Sequence, residues 1–319
     1  MEPAQRHLFQ DAEIERLHTL QTDLSRAVLA ENTTTSYRYD WSMFSAFCGQ
    51  IHRPPLPATP DTLGLYLTSI LEAGRTVKTA RRRICAVAHY HREAGLPSPY
   101  SPEVRLLLRG AARQRLERPR QKEPLQVEQL RAIADVLQEQ GTPMAARDLA
   151  ILVLGFASAL RRSNIVAIDV QDLDHTPQGL VIVIRREKQD QEGRGRLVAL
   201  PKGSDPRTCA ASCVEAWLTH RRPGPGPLFT RLDRGGAGRR MDAEAVAKIV
   251  KRSVGLIGLD SRLYGAHSLR AGFVTEAAEL GVSDTLIASH TGHRSTASLR
   301  FYYRRRRLWT GNAAAMIGL

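Results

Sequence analysis

The sequence predicts a mostly α-helical protein with a small antiparallel β-sheet, divided into two domains. Apolar residues recur at helical spacing through the first third of the chain, and three short strand-like segments interrupt the helical patterns that follow. Between these parts, seven of the nine residues in Leu116–Pro124 are charged or proline, which breaks the periodicity. A chain of 319 residues is long enough for two domains. We therefore predict a helical domain over residues 1–115, a linker over residues 116–123 and an α+β domain over residues 124–319.

Four helices are predicted in the first domain. The first follows Asn32 and a run of threonines that can cap it, and aromatic residues form its apolar face. The second starts at Thr59, with proline at its first helical position. The third spans about Thr76–Ala94, and the fourth spans about Ser101–Arg115 with the serine as its cap. The aromatic residues of the first helix are Tyr37, Trp41, Phe44 and Phe47.

The second domain mixes helical and strand periods. Two helices, over about Val127–Glu139 and Met144–Ala159, precede the strands, and the pattern is helical again from Asp242 onwards. Gly193 and Gly195 lie between the last two strands and indicate a loose hairpin. The predicted strands are Val170–Asp174, Leu180–Arg186 and Arg196–Leu200.

The charge balance indicates nucleic acid as a partner. Lys+Arg number 46 against 32 Asp+Glu, which gives a net charge of +14 and a pI near 10.2. Forty of these cations are arginine, whose planar guanidinium pairs with two phosphate oxygens at once. The alternatives are an ordinary solvated basic surface and the arginine bias of a GC-rich genome. Both predicted domains are basic, at +4 for residues 1–115 and +10 for residues 116–319.

Several other classes of protein are disfavoured. The longest apolar run, Leu149–Leu160, falls short of the roughly 18 to 20 residues that a membrane span needs. The N-terminal segment lacks the apolar core of a signal peptide. The four cysteines are too scattered for a disulfide framework, and no glycine-rich loop of the G-x-x-x-x-G-K-[ST] type indicates ATP hydrolysis. We expect a soluble intracellular protein with reduced, buried cysteines.

Four short segments carry side chains that suit phosphate chemistry, and they are informative only together. They are Ala159–Asn164 with Arg161, the polar turn around Lys188, the tetrapeptide His267-Ser-Leu-Arg270, and Gly292-His293 followed nine residues later by Tyr302. In this order and spacing they resemble the tyrosine recombinases, the phage integrase family. The resemblance covers nearly the whole chain, because the helical first domain is similar to the family's core-binding domain. It implies a two-domain clamp that closes around double-stranded DNA and cuts it through a tyrosine, with no metal ion and no cofactor.

The resemblance also implies the catalytic residues. Tyr302 matches the family's nucleophile, whereas its neighbour Tyr303 is one residue out of register. The positions that match the family's catalytic set are Arg161, Lys188, His267, Arg270, His293 and Tyr302.

These residue types suit the transfer of a DNA phosphate to a phenol. Two guanidiniums can neutralise and orient the non-bridging oxygens of the phosphate. A phenol has a reference pKa of about 10, so its proton must leave as the bond to phosphorus forms, with help from His267, His293 or the local positive field. The departing 5′-oxygen needs a proton, and Lys188 is the candidate acid because neighbouring arginines favour proton release from an ammonium group. The product is a 3′-phosphotyrosyl link and a free 5′-hydroxyl.

Basic clusters extend the predicted DNA contact beyond the catalytic residues. One lies in the third helix of the first domain, where an ordinary exposed face is an equal alternative. The other, Arg304–Arg307, directly follows the tyrosine, and this position favours contact with phosphates. The predicted DNA-binding residues are Lys78, Arg81, Arg82, Arg83, Arg304 and Arg305.

One position departs from the family pattern. Asn164 stands where the family usually carries an acidic residue, three positions after the first arginine. This departure keeps open a non-catalytic DNA-binding protein of the same fold, and a type IB topoisomerase is a further alternative. Single residues also have structural explanations, since cations after an apolar helix meet its dipole favourably and tyrosines beside phenylalanine are typical of a core. We favour a site-specific DNA recombinase or integrase that needs neither metal nor ATP.

Two weaker patterns suggest metal sites, and we predict that neither binds metal. His290 and His293 are three residues apart, without a carboxylate or cysteine nearby. Cys209 and Cys213 precede His220, but they are four residues apart instead of the three usual in zinc loops.

The family resemblance further implies the partners and the location. We expect double-stranded DNA, a homotetramer in the synaptic complex and no membrane partner, with accessory DNA-bending proteins left open. The location would be the bacterial cytoplasm, at the nucleoid. The tail LWTGNAAAMIGL is apolar for an exposed end, and it either docks in a neighbouring subunit's groove or packs on its own domain.

Overall fold

The contacts in the computed structural model divide the chain into two units, Met1–Arg120 and Gln121–Leu319. The structure describes residues 13–20, 31–116, 121–185, 195–232, 238–293, 295–302 and 317. Its mostly helical fold with one small antiparallel sheet confirms the predicted fold class. The last residues of the predicted linker are part of the second unit, where the Glu123 N–H donates to the Leu263 carbonyl at 2.9 Å.

Helices make up the described part of the first unit. They are α1 (residues 13–20), α2 (Glu31–Gln50), α3 (Pro60–Glu72), α4 (Val77–Glu93) and α5 (Pro102–Arg115). The hydroxyls of Thr59, Thr76 and Ser101 accept a hydrogen bond from the backbone N–H three residues later. The predicted serine cap of α5 is confirmed, and α3 and α4 begin directly after the threonines at which their starts were predicted. The prediction for α2 was wrong at its start, because the threonine run lies inside the helix and not before it.

The apolar faces of these helices pack into one core. Phe44 on α2, Leu63 and Leu67 on α3, Ile84 on α4 and Leu108 on α5 are fully or almost fully buried. Burying apolar area in this way is the main favourable term that holds the four helices together.

The second unit contains seven further helices and three strands in its described part. They are α6 (Val127–Gln140), α7 (Pro143–Ala157), α8 (Arg162–Ala167), β1 (Leu173–Thr176), β2 (Gly179–Ile184), β3 (Arg196–Pro201), α9 (Ala210–Leu218), α10 (Ala243–Leu256), α11 (His267–Glu279) and α12 (Asp284–Thr291). Short 3-10 helices lie at Val170–Asp172, Pro206–Thr208, Ser261–Leu263 and Thr296–Phe301. The predicted helices over Val127–Glu139 and Met144–Ala159 are confirmed to within two residues.

The three strands pair antiparallel in the order β1-β2-β3, with Leu173 opposite Ile182 and Ile182 opposite Val198. The first strand starts later than predicted because Val170–Asp172 form a 3-10 turn. The side chain of Asp172 accepts the Asp169 N–H at 2.9 Å, and this local bond competes with a strand conformation. The residues between β2 and β3, with the predicted Gly193 turn, lie mostly outside the described part of the chain.

Helix α7 is the centre of the second unit. It is apolar on all sides and almost wholly buried, with α6, α8, α9 and α11 packed around it. Its one buried carboxylate, Asp148, pairs with Arg147 at 2.9 Å and also with Arg252. Within the described ranges, no helix is long and apolar enough to cross a membrane.

Close approach of α11 to the chain before α6 depends on Gly272. A Cβ atom at this position would lie 2.0 Å from the Leu125 carbonyl oxygen and 2.7 Å from the Phe156 ring. Leu125 is also bound to α11 through its N–H, which donates to the Ser268 carbonyl at 3.0 Å. The absence of a side chain at Gly272 therefore sets how near α11 lies to its neighbours.

We predict that Gly272→Ala destabilises the second unit by about 3 kcal/mol, because backbone atoms must move to make room for the methyl group. The matched control is Gly255→Ala on α10, where a Cβ would meet nothing within 4 Å. This control should be neutral or stabilising by up to about 1 kcal/mol, since alanine favours the helix. Urea denaturation of the full chain measures both values, and equal stabilities for the two variants would contradict the prediction.

Candidate active site

Arg161 lies at the turn between α7 and α8. Helix α7 ends at Ala157, and Ala159 then adopts a left-handed conformation with φ of 49°. Arg161 follows as the N-cap residue of α8, with its side chain half-buried. Its Nη1 atom is buried and has no hydrogen-bond partner among the residues that the structure describes. A buried donor of this kind is costly, so the site favours a ligand that accepts a hydrogen bond.

Arg270 lies in the first turn of α11 and is only 2% exposed. Its Nη1 donates to two backbone carbonyls, those of Ala159 at 2.7 Å and Thr291 at 2.8 Å. The guanidinium therefore joins the turn after α7 to the end of α12. Both carbonyls belong to helix ends or turns, where backbone acceptors lack a partner within the helix, and the positive charge suits the negative end of the helix dipole.

His293 is fixed on two sides. The Thr291 hydroxyl donates to the Ile287 carbonyl at 2.7 Å and lies 2.5 Å from Nδ1 of His293. Since that hydroxyl proton is already used, Nδ1–H donates to the threonine oxygen, and Nε2 accepts from Nη2 of Arg270 at 2.9 Å. Burial, then the charges of Arg270 and Arg161, lower the pKa of His293 to about 4. The ring is therefore neutral at pH 7.

Tyr302 contacts His267 directly. Its hydroxyl lies 3.1 Å from Nε2 of His267, and its ring centroid lies 5.7 Å from that of His267 and 6.0 Å from that of His293. Tyr302 follows the 3-10 helix Thr296–Phe301, which is held against α11 and α12 by the buried Leu299. Desolvation, then Arg270 and Arg161, lower the pKa of His267. A neutral imidazole can accept the phenol proton through Nε2.

The structure thus brings together five of the six predicted catalytic residues. Arg161, His267, Arg270, His293 and Tyr302 come from the α7–α8 turn, from α11 and from the segment after α12. Lys188 follows β2 in sequence and lies outside the described residues. The residues directly after Tyr302, which are Tyr303, Arg304 and Arg305, also lie outside them. Two guanidiniums beside a phenol and two neutral imidazoles suit an anion with several acceptor oxygens, such as a phosphodiester.

Asn164 is buried on α8, one turn after Arg161. Its backbone N–H donates to the Arg161 carbonyl at 2.8 Å, and its side-chain oxygen accepts from the Ser163 hydroxyl at 3.3 Å. The side-chain amide therefore bonds to Ser163 and adds no negative charge beside the two guanidiniums, whereas the bond to the Arg161 carbonyl belongs to the backbone.

The predicted DNA-binding cluster on α4 separates into exposed and buried members. Lys78, Arg81 and Arg82 are exposed. Arg83 is 9% exposed and lies 3.7 Å from a carboxylate oxygen of the fully buried Asp40, which also pairs with Arg82 at 2.7 Å. The inclusion of Arg83 in the DNA-binding set is therefore corrected, because its charge serves the interior of the first unit and not its surface.

The weaker candidate sites show structural roles. His290 donates from Nε2 to the Ala157 carbonyl at 2.8 Å, and α12 ends between it and His293 at Gly292, whose φ is 69°. Cys209 and Cys213 are buried free thiols, and burial raises the pKa of Cys213 to about 12. Within the part of the chain that was searched, no group of three or more His, Cys, Asp or Glu side chains is placed to hold a metal ion.

Sequence reasoning missed the residues that hold the site in place. Thr291 binds the ring of His293, and His290 binds the Ala157 carbonyl. Arg196 binds the His290 carbonyl. The Thr-Gly pair before His293 carried one usable signal, since glycine after a helical pattern predicts the end of the helix. The partners of His290 and Arg196 lie more than 90 residues away, so no local pattern indicated them.

Comparison with protein families gives a match to the phage integrase family over residues 123–307. The integrase/recombinase XerD homologue of Selenomonas ruminantium is 33% identical over 315 residues, which cover 96% of this chain and 92% of that protein. The family match includes all of the described residues in the candidate site.

Solved structures share the fold. The Tn1549 transposon integrase, in complex with a circular intermediate DNA, superposes with a TM-score of 0.66 at 15% identity, covering 94% of this chain and 98% of that one. A λ integrase tetramer bound to a Holliday junction gives a TM-score of 0.58 at 13% identity, covering 90% and 76%. At these identities the likeness concerns the fold alone.

We predict that Arg161→Gln raises the pKa of both His267 and His293, because it removes one of the positive charges that lower them. Both values should remain below the usual histidine range, since burial is the larger cause. The neighbouring exposed residue provides the matched control, Arg162→Gln, which should move neither value. Titration of the imidazole ring signals by NMR measures the shifts, and an equal response to the two variants would mean that Arg161 does not face the histidines.

Proposed function

The chain belongs to the phage integrase family and is a tyrosine recombinase, and we propose that Tyr302 is the nucleophile with which it cuts DNA at specific sites. The observation that carries this proposal is the 3.1 Å contact between the Tyr302 hydroxyl and Nε2 of His267. A phenol in contact with a neutral imidazole and close to two arginines has both a proton acceptor and a binding site for its phosphate target.

Arg161 and Arg270 would bind the non-bridging oxygens of the scissile phosphate. Arg270 is held in place by two carbonyls, and Arg161 has a buried Nη1 that lacks a protein partner among the described residues. Because these donors are fixed before DNA binds, they need little rearrangement as negative charge grows on the phosphate. The Asn164 side chain is an uncharged amide, so it does not compete with the phosphate for the positive charge of Arg161.

The two histidines would have different tasks. His267 faces the phenol, so it accepts the proton that leaves Tyr302 as the new bond forms. His293 is held by Thr291 and accepts a hydrogen bond from Nη2 of Arg270. It would therefore orient Nη2 of that guanidinium toward the phosphate. Both tasks need a neutral ring, which agrees with the lowered pKa of each histidine.

In the cleavage step, one bond to phosphorus forms as another breaks. The Tyr302 oxygen forms a bond to phosphorus, and the bond between phosphorus and the 5′-oxygen breaks. The phenol proton passes to His267, and Lys188 gives a proton to the departing 5′-oxygen. The strand ends are a 3′-phosphotyrosyl link and a 5′-hydroxyl, and attack by another 5′-hydroxyl reverses these steps. Because the phosphodiester is exchanged and not hydrolysed, rejoining needs no ATP.

The first unit would contribute contacts to the DNA backbone. An exposed basic face on α4 consists of Lys78, Arg81 and Arg82. The buried carboxylate of Asp40 pairs with the guanidinium of Arg82 and orients it. On the second unit, Arg304 and Arg305 directly follow the nucleophile and its neighbour in sequence. Such phosphate contacts position a protein on the duplex, and base contacts then select the site. The protein would act on DNA in the bacterial cytoplasm.

We predict a covalent protein–DNA adduct that depends on Tyr302. The protein is incubated with a library of nicked duplexes made from the DNA that flanks its gene, denatured, and captured with any DNA still attached. Sequencing of the captured DNA then identifies the cleaved site. Tyr302→Phe should form no adduct because it lacks the nucleophilic oxygen, and Tyr303→Phe should retain the adduct.

The controls decide between the alternatives. Specific binding by the wild-type protein without any adduct would show a non-catalytic DNA-binding protein of the same fold. An adduct that persists in Tyr302→Phe and disappears in Tyr303→Phe would place the nucleophile one residue later. Relaxation of one plasmid without joining of two sites would indicate a topoisomerase.

We also propose that the protein assembles as a tetramer on DNA through an apolar groove on its surface. The groove has a volume of about 420 Å³ and lies between α11 and α12. Its lining residues include Phe156, Phe273, Leu280, Leu286 and Ile287. The apolar segment after Trp309, of which the structure describes only Ile317, has the composition to occupy this groove on a neighbouring subunit. The λ integrase structure named above is a tetramer on a Holliday junction.

We predict that Leu286→Glu, at a residue 61% exposed in this groove, weakens synapsis of two DNA sites while leaving binding to one site within about twofold. Deletion of the residues after Trp309 should have the same effect. Leu256→Glu, at a 41% exposed leucine on α10 outside the groove, is the matched control. Gel-shift assays with one and two sites measure both steps, and normal synapsis by Leu286→Glu would contradict the use of the groove.

A further inference from the structure

His290 joins three of the elements that carry the candidate catalytic residues. Its ring donates through Nε2 to the Ala157 carbonyl at 2.8 Å, at the end of α7. The ring also stacks on Phe273 of α11, with centroids 4.6 Å apart and planes inclined by 19°. His290 itself belongs to the last turn of α12, three residues before His293.

The contact with Ala157 acts on the turn that presents Arg161. Ala157 is the last residue of α7, and Arg161 follows four residues later. Between them, Ala159 has a φ of 49°, a conformation that is unfavourable for a residue with a side chain and persists only when its surroundings enforce it. His290 binds the carbonyl on one side of Ala159, and Arg270 binds the carbonyl of Ala159 itself. These two contacts enforce the turn.

The end of α12 is itself held by arginines. The His290 carbonyl accepts from Nη1 of Arg196 at 2.8 Å, and the next carbonyl, that of Thr291, accepts from Arg270 at 2.8 Å. These carbonyls lie at the negative end of the helix dipole, which favours the two positive charges. Arg196 is the first residue of β3, so the sheet also fixes the position of His290.

The state of the ring agrees with this geometry. Desolvation is the largest cause that lowers the pKa of His290. The hydrogen bond to the Ala157 carbonyl partly offsets this effect, and the charges of Arg196 and Arg270 lower the pKa further. A neutral ring can present Nε2–H to the Ala157 carbonyl and stack on Phe273 without the cost of burying a charge.

We propose that His290 is a positioning residue for Arg161: its Nε2–H holds the end of α7 so that the Arg161 guanidinium faces the phosphate. The inference rests on the proposed function, since it assigns His290 a part in the same cleavage step. His290 does not touch the reacting atoms. A displacement of about 1 Å in a phosphate-binding group is enough to slow a reaction by about 100-fold.

The test uses the full-length protein and the nicked duplex recovered by covalent capture. Two quantities are measured for each variant: the rate of adduct formation at saturating protein, and the Kd for the same duplex. His290→Leu removes the donor and keeps an apolar contact for Phe273, so adduct formation should slow by about 10- to 100-fold, with Kd within about twofold. His290→Gln keeps an N–H donor near the position of Nε2 and should restore the rate to within about threefold of wild type.

A double-mutant cycle shows whether the effect passes through Arg161. In an Arg161→Lys background, the added change His290→Leu should slow the reaction by less than about threefold, because the group that it positions is already altered. Arg196→Met, which removes the contact to the His290 carbonyl, should slow the wild-type reaction in the same direction and by a smaller factor. The matched control is His175→Leu on β1, a histidine 39% exposed beside Glu215, which should leave the rate unchanged.

Each remaining outcome overturns the inference. These outcomes are cleavage by His290→Leu at the wild-type rate, loss of DNA binding together with cleavage, and slowing of the Arg161→Lys protein by the full factor. A glutamine variant as slow as the leucine variant would equally remove the role of the N–H donor. Failure of the proposed function looks different, because the wild-type protein itself would then form no adduct on any duplex.

Discussion

The buried guanidinium of Arg270 is the interaction on which the site depends. A charge that is 2% exposed must have hydrogen-bond partners, and the partners here are the carbonyls of Ala159 and Thr291 and the ring of His293. Those partners belong to segments far apart in sequence. The hydrogen bonds of this one buried charge therefore fix the turn before Arg161 relative to the end of α12. Any other arrangement of these segments would leave the guanidinium without partners and would be less stable.

The same charge governs the protonation of its neighbours. Arg270 and Arg161 add to desolvation in lowering the pKa of His267 and His293, so both rings are neutral near pH 7. Neutral rings can accept protons, and they leave the two guanidiniums as the positive charges that the phosphate would meet in the proposed function. Asn164 preserves this balance, because its uncharged amide accepts a hydrogen bond from Ser163 without adding negative charge.

The packing of α11 against its neighbours sets the positions of His267 and Arg270. Gly272 lets α11 approach the Leu125 carbonyl, and the buried helix α7 provides the surface against which α11 rests. His267 and Arg270 lie on the first turn of the helix that Gly272 holds close. The position of the charged groups thus follows from a close backbone contact on the opposite side of the helix, where one methyl group is too large.

The sequence by itself determined the fold class, the starts of α3 to α5 and the identity of the candidate catalytic residues, because helical periodicity, helix-start residues and motif spacing are local patterns. It did not determine that Arg83 turns inward to Asp40, since a run of cations on a helix does not show which member faces the core. It also did not show that His290 binds Ala157, a contact between residues 133 positions apart. Burial and long-range hydrogen bonding are properties of the packed chain, and only the tertiary structure decided them.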